Sequence, residues 1–142
     1  MSAESKRAQL KLSGGLALFP AAAAALEHFA EDADLGEADR RNLIAACEQV
    51  CTDALRRAET DEGALEVTIE QFPDRIEIGI AHPGVTGPAI GLDAFLGAAT
   101  GTTEGAGANL LSRVDRVKFE TSGQVSRMLL VKYLPGAKTR AN

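Results

Sequence analysis

Apolar residues recur along the chain at two periods. Leu65, Val67 and Ile69 alternate with Glu66, Thr68 and Glu70, and after Phe72-Pro73-Asp74-Arg75 the run Ile76, Ile78 and Ile80 alternates with Glu77, Gly79 and Ala81. Period two predicts a hairpin with one buried and one wet face. Upstream the period is helical. Leu43, Cys47, Val50 and Ala54 form one row and Ile44, Cys51, Leu55 and Ala58 a second, so Leu43–Arg57 reads as a helix with a broad buried stripe. Glu48 interrupts it beside the stripe, with Thr52 one turn later and Asp53 just past it. Residues four apart share a helical face, so Glu48 and Thr52 point the same way. A carboxylate in that position pairs with a neighbour such as Arg40, Arg41 or Arg56, rims a pocket, or does chemistry.

The remaining segments fill in around these. Residues 1–8 are polar and read as a flexible N-terminus, 9–135 as a single domain, and 136–142 as a flexible tail. Gln9–Phe19 reads as an edge strand broken by a turn or bulge at Gly14-Gly15. Pro20 suits the first turn of a helix whose apolar side is Leu26, Phe29, Ala30 and Ala33, ending near Asp34–Gly36. A second helix begins near Glu37. His82–Gly107 is a long stretch rich in Gly, Thr and Pro, of the kind that is usually functional or mobile and not a mere connector. Helical character resumes over Ala106–Val114, and Arg116–Thr121 and Ser126–Leu134 read as a second hairpin. The predicted fold class is α+β: a two-layer sandwich of a mixed, mostly antiparallel sheet covered on one face by helices.

Composition narrows the function classes. The chain has 142 residues, a net charge of −5, 4% aromatic residues and no Trp, which argues against a stacking platform or a phosphate-backbone surface for nucleic acid. No run approaches the roughly 20 apolar residues of a membrane span, and Ala21–Ala25 is too short for a signal sequence, so a cytoplasmic protein with no membrane partner is expected. Cys47 and Cys51, one turn apart on the apolar face, read as buried thiols.

Three stretches in this order resemble the histidine-kinase-like ATPase superfamily, and within it the small anti-sigma-factor serine kinases of bacterial stress and sporulation switches. The resemblance spans about residues 10–134. On the family's helix a Glu, and an Asn four residues on, serve catalysis and magnesium binding; Glu48 matches the first, and Thr52 stands at the second, with Asp53 next to it a better hard-oxygen ligand by type. In the loop after the hairpin the family has Asp-x-Gly-x-Gly for adenine; here His82-Pro83-Gly84-Val85-Thr86 keeps Gly84, with His82 for the Asp and Thr86 for the last Gly. Gly105-Ala106-Gly107 looks like the family's second glycine box, whose amides face phosphate at a helix start. Asn109, Leu110, Leu111 and Asp115 follow it.

The resemblance implies ATP and Mg2+ as cofactors, with Glu48 catalytic, Thr52 on the metal, and Thr52, His82, Gly84, Thr86, Gly105 and Gly107 around the nucleotide. It implies a serine/threonine protein kinase acting in transcription regulation by partner switching, with a sigma factor or an anti-sigma-factor antagonist as partner and a homodimer as the family's common state. The alternative is a protein-binding module that keeps the fold without nucleotide, which Thr52 and His82 favour.

Overall fold

The computed structural model describes residues 5–57, 64–86, 113–122 and 125–135. Strand β1 (Lys6–Leu12) leads through a 3-10 turn (Gly15–Leu18) into helices α1 (Phe19–Asp32) and α2 (Glu37–Arg57), followed by strands β2 (Leu65–Gln71), β3 (Arg75–Thr86), β4 (Arg116–Ser122) and β5 (Val125–Tyr133). The strands form one antiparallel sheet in the order β1-β2-β3-β5-β4, so the β3–β4 connection crosses β5. Both helices pack on the same face. The architecture is the expected two-layer α+β sandwich, its described sheet wholly antiparallel.

Alternation explains which side of each strand is buried. The registers Leu10↔Val67, Val67↔Ile80 and Ile80↔Met128 carry one apolar row across four strands, and Ala8↔Ile69, Ile69↔Ile78 and Ile78↔Leu130 carry a second. These rows close with Leu26 and Phe29 of α1 and Leu43, Cys47, Val50 and Ala54 of α2 into one core. Burying a Leu, Ile or Val side chain contributes about 1.5–3 kcal/mol, so this face holds the layers together.

Local signals set the ends of the elements. Pro20 sits in the first turn of α1, where its missing N–H costs nothing. α1 ends in a Schellman motif: Leu35 N–H donates to Ala30 O at 3.0 Å and Asp34 N–H to Glu31 O at 3.1 Å, with Asp34 at φ 62°. Arg40 of α2 reaches Glu27 of α1 at 3.1 Å. On the far side of the sheet axis, Lys132 Nζ lies 3.6 Å from Asp39 and 3.7 Å from Asp115, tying the first turn of α2 to the start of β4.

Four details depart from the sequence reading. β1 starts at Lys6, so residues 6–8 belong to the sheet and not to a flexible terminus. Leu16-Ala17-Leu18 coils into the 3-10 turn and does not continue the strand. β3 runs on through His82–Thr86, a segment whose composition suggests loop. That extension is tolerated because β2 ends its pairing at Glu66↔Ala81, leaving Pro83 beyond a partner that would need its N–H, and the β3–β5 register shifts between Ala81 and Thr86. β5 begins at Val125 and ends at Tyr133, one residue earlier at each end than expected. The helix expected over Ala106–Val114 lies mostly outside the described residues.

Candidate functional site

The site is assembled from α2 and the end of β3, two elements that pack against each other. On α2 the buried residues are Leu43, Ala46, Cys47, Val50, Cys51, Asp53 and Ala54. At about 100° per residue, Thr52 lies about 180° from the middle of that stripe and Glu48 about 140°. Both are exposed. The Thr52 hydroxyl donates to the Glu48 backbone carbonyl at 2.8 Å, the back-bonding that a helical Thr makes when no other acceptor claims it. Glu48 and Thr52 do point the same way, but away from the core. The Glu48 carboxylate makes no ion pair among the described residues: Arg40 takes Glu27, Arg41 takes Glu37 and Arg56 takes Asp53.

One residue further along, the chemistry turns inward. Asp53 is 4% exposed and accepts from Arg56 Nη2 at 2.8 Å, while Arg56 itself stays in solvent. Gln49, one turn before Asp53, is half-buried on the same flank. His82 is 3% exposed in β3. Neither is a free group: both Asp53 and His82 are engaged in further interactions. Buried polar groups cost free energy unless they are hydrogen-bonded, so the Asp53 carboxylate on α2 and the His82 imidazole on β3 are held by their partners where they lie. A buried Asp in the helix was legible only as a residue just past Thr52, because a charged residue at the margin of an apolar stripe is ordinarily solvated.

The other expected contacts are distributed unequally. Gly84 and Thr86 lie in the extended end of β3, with Thr86 opposite Val125 of β5. Gly105 and Gly107 lie outside the described residues, so a phosphate-facing turn is not among the features described. Asp115, read as part of the same motif, supports the sheet, since its Oδ2 accepts from the Tyr133 N–H at 2.7 Å. Among the described residues no group of three or more His, Cys, Asp or Glu side chains is arranged to hold a metal ion. At Thr52 the hydroxyl proton goes to the Glu48 carbonyl, which leaves the oxygen lone pairs directed outward from the helix.

The cysteines bracket Glu48 on the buried side. Cys47 and Cys51 are free thiols at 0% exposure. The hydrogen bond with Cys51, and then burial, hold the Cys47 thiol well above its usual range. A thiol that stays protonated is neither a nucleophile nor a metal ligand. Among the described residues no helix is long and apolar enough to cross a membrane. Compared with known proteins, the chain matches no family model and no curated protein.

Proposed function

We propose that this chain is an anti-sigma-factor-like regulatory domain that acts in the bacterial cytoplasm by binding a protein partner, a sigma factor or an antagonist of the anti-sigma type, without phosphoryl transfer through Glu48 and Thr52. The observation that carries this reading is the exposure of Glu48 and Thr52 together with the 2.8 Å bond that closes the Thr52 hydroxyl on its own helix. A pair on the outside of α2 is available to another protein. The succession of strand, two helices and hairpins supports the resemblance on which the partner class rests.

A second reading has an observation of its own. Asp53 and His82 are buried polar groups on α2 and β3. In a nucleotide-binding serine kinase of this fold, they would take the metal-side and adenine-side positions in place of Thr52 and an Asp. Calorimetric titration with ATP and ADP, with and without magnesium, separates the two readings. A partner-binding domain gives no heat at millimolar nucleotide and no thermal shift. A kinase gives saturable binding that Asp53→Asn weakens and Glu48→Ala does not. At 100 times its dissociation constant the nucleotide would stabilise the fold by about 2.7 kcal/mol, a shift of a few degrees.

A further inference from the structure

The face of the sheet turned away from α1 and α2 holds a polar recess remote from the α2–β3 site. Its centre is set by register. Val131 of β5 stands between Arg116 of β4 and Glu77 of β3, and Leu129 stands between Lys118 and Gly79. Alternation puts all six side-chain positions on the outer face, opposite Ile78, Leu130 and Val117. A cavity of about 250 Å³ opens there, lined by Arg75, Glu77, Arg116, Lys118, Val131 and Tyr133 together with Asp74.

The charges in this recess are not equivalent. Arg75 is closed on both acids, donating from Nε to Glu77 at 2.6 Å and from Nη1 to Asp74 at 2.8 Å, while its guanidinium also lies 4.1 Å over the Phe72 ring. Arg116 and Lys118 are exposed, and neither makes an ion pair or hydrogen bond among the described residues. Two cations two residues apart on one strand thus face the same cavity with their charge uncompensated. Between them and the Arg75 cluster lies Val131, which lines the recess but is itself only 2% exposed. The backbone beside it is held by the Asp115–Tyr133 bond.

We propose that this recess binds a single carboxylate on a short aliphatic stem, such as the end of a glutamate side chain or a small organic acid. The volume is below the roughly 300–1,000 Å³ of sites for drug-sized ligands, so it suits one side-chain-sized group. Arg116 offers the planar fork that pairs with a carboxylate, and Lys118 supplies a second positive charge. The stem lies beside Tyr133, a half-buried residue that also lines the recess. Asp74 and Glu77 are both bonded to Arg75, so the charges left to an incoming anion are those of Arg116 and Lys118. The site lies on the face opposite α2 and does not depend on nucleotide binding.

The test is an NMR titration of the full chain, following backbone amides, with three probes: N-acetylglutamate N-methylamide, its neutral glutamine counterpart, and a hexaglutamate peptide. The expected result is saturable shifts at Arg116–Lys118 and Val131–Tyr133 with a carboxylate probe and none with the glutamine compound, weakening as salt is added. Arg116→Ala/Lys118→Ala should weaken binding roughly tenfold or more, and Arg7→Ala, a cation on the same face outside the recess, should leave it unchanged. Saturation by the single-residue probe assigns the site to small acids as well as side chains; saturation by the peptide alone assigns it to an acidic segment of a protein. Absence of saturation with both, or equal binding by the double variant, overturns the proposal. In that case the two cations serve only to keep the β4 edge from pairing with other chains.

Discussion

The Arg127 guanidinium lies over Gly79, so close that a Cβ at position 79 would stand 2.9 Å from Arg127 Cζ and Nε. Arg127 pairs with Ala81 across the β3–β5 ladder and reaches Glu120 on β4 at 3.4 Å, so the side chain spans the outer face above the buried Leu129. Gly79 is the position that makes room for it. Replacing Gly79 by Ala moves the end of a flexible side chain and not backbone, while the strand gains the roughly 0.5–1 kcal/mol that Ala holds over Gly in an element interior. The two effects oppose each other. Gly79→Ala should therefore stabilise the Arg127→Ala variant by about 0.5–1 kcal/mol and the unaltered protein by less, a coupling read from a double-mutant cycle in urea. Equal gains in both backgrounds would show that the contact carries no energy.

Asp34 closes α1 at φ 62°, the left-handed region where a side chain costs free energy that glycine avoids. Its Schellman bonds use backbone atoms only, so they survive a change of side chain. Asp34→Gly should raise stability by about 0.5–1 kcal/mol, and Asp34→Val should lower it by more than about 1 kcal/mol because a β-branched residue fits that region worst. Chemical denaturation midpoints at constant m-value measure both.

What is legible in the chain, and what is not, follows from which interactions leave a periodic trace. The β2–β3 hairpin alternates Leu, Val and Ile with Glu66, Thr68, Glu70, Glu77, Gly79 and Ala81, and its registers are those the alternation implies. The face expected to be wet is so only at its glutamates, since Thr68, Gly79 and Ala81 are buried. The stripe of α2 is equally plain, since Leu43, Cys47, Val50 and Ala54 are all at or near 0% exposure. The start of β1 is hidden because Lys6 and Arg7 carry no apolar signal: Lys6 is in the sheet through its pairing with Gln71, a backbone interaction that any residue can make. Pro83-Gly84 misleads for a related reason. Where β2 stops pairing, proline and glycine no longer interrupt a ladder. At the candidate site, Glu48 and Gln49 both flank the stripe, and periodicity does not tell which flank faces solvent. The packing of α2 decides it, turning Asp53 inward and Thr52 outward, and a buried Asp has no sequence signature until its partner Arg56 is seen to reach it.

Cys47 and Cys51 lie one turn apart in the core, hydrogen-bonded to each other and at 0% exposure, with the Cys47 thiol held well above its usual range by that bond and by burial. Reaction with a disulfide reagent needs both access and thiolate. In the native protein at about pH 8, neither thiol should react faster than the fold opens, and both should react together once urea unfolds it. The native rate should then report the opening equilibrium. Fast, stoichiometric labelling of either cysteine in native buffer would contradict the packing of α2 against β3. Cys51→Ala should destabilise the protein by about 1–3 kcal/mol, since it removes a buried sulfur and leaves a small cavity.

Lys6 and Gln71 face each other across β1 and β2, and both hold the last residue of α1: Lys6 Nζ lies 2.6 Å from Asp32 Oδ2. The hydrogen bond from Lys6, then its charge, then Gln71 keep the Asp32 carboxyl below its ordinary range. Folding thus favours the ionised form. The stabilisation from this contact is complete above the ordinary aspartate range, about 3.9, and disappears as the pH falls through the lower value of the folded protein. Both side chains are exposed, so the effect on total stability is small and salt-sensitive. The titration itself is the sharper readout. Carbon-detected NMR of the Asp32 carboxyl should give a midpoint below the ordinary range in the unaltered protein and return it most of the way in Lys6→Met. Gln71→Ala should move it part of the way, because Gln71 supplies the lesser share. A midpoint that ignores Lys6→Met would mean that β1 does not reach α1 in solution, and the sheet would then begin where the apolar alternation of the chain first suggests, at Gln9.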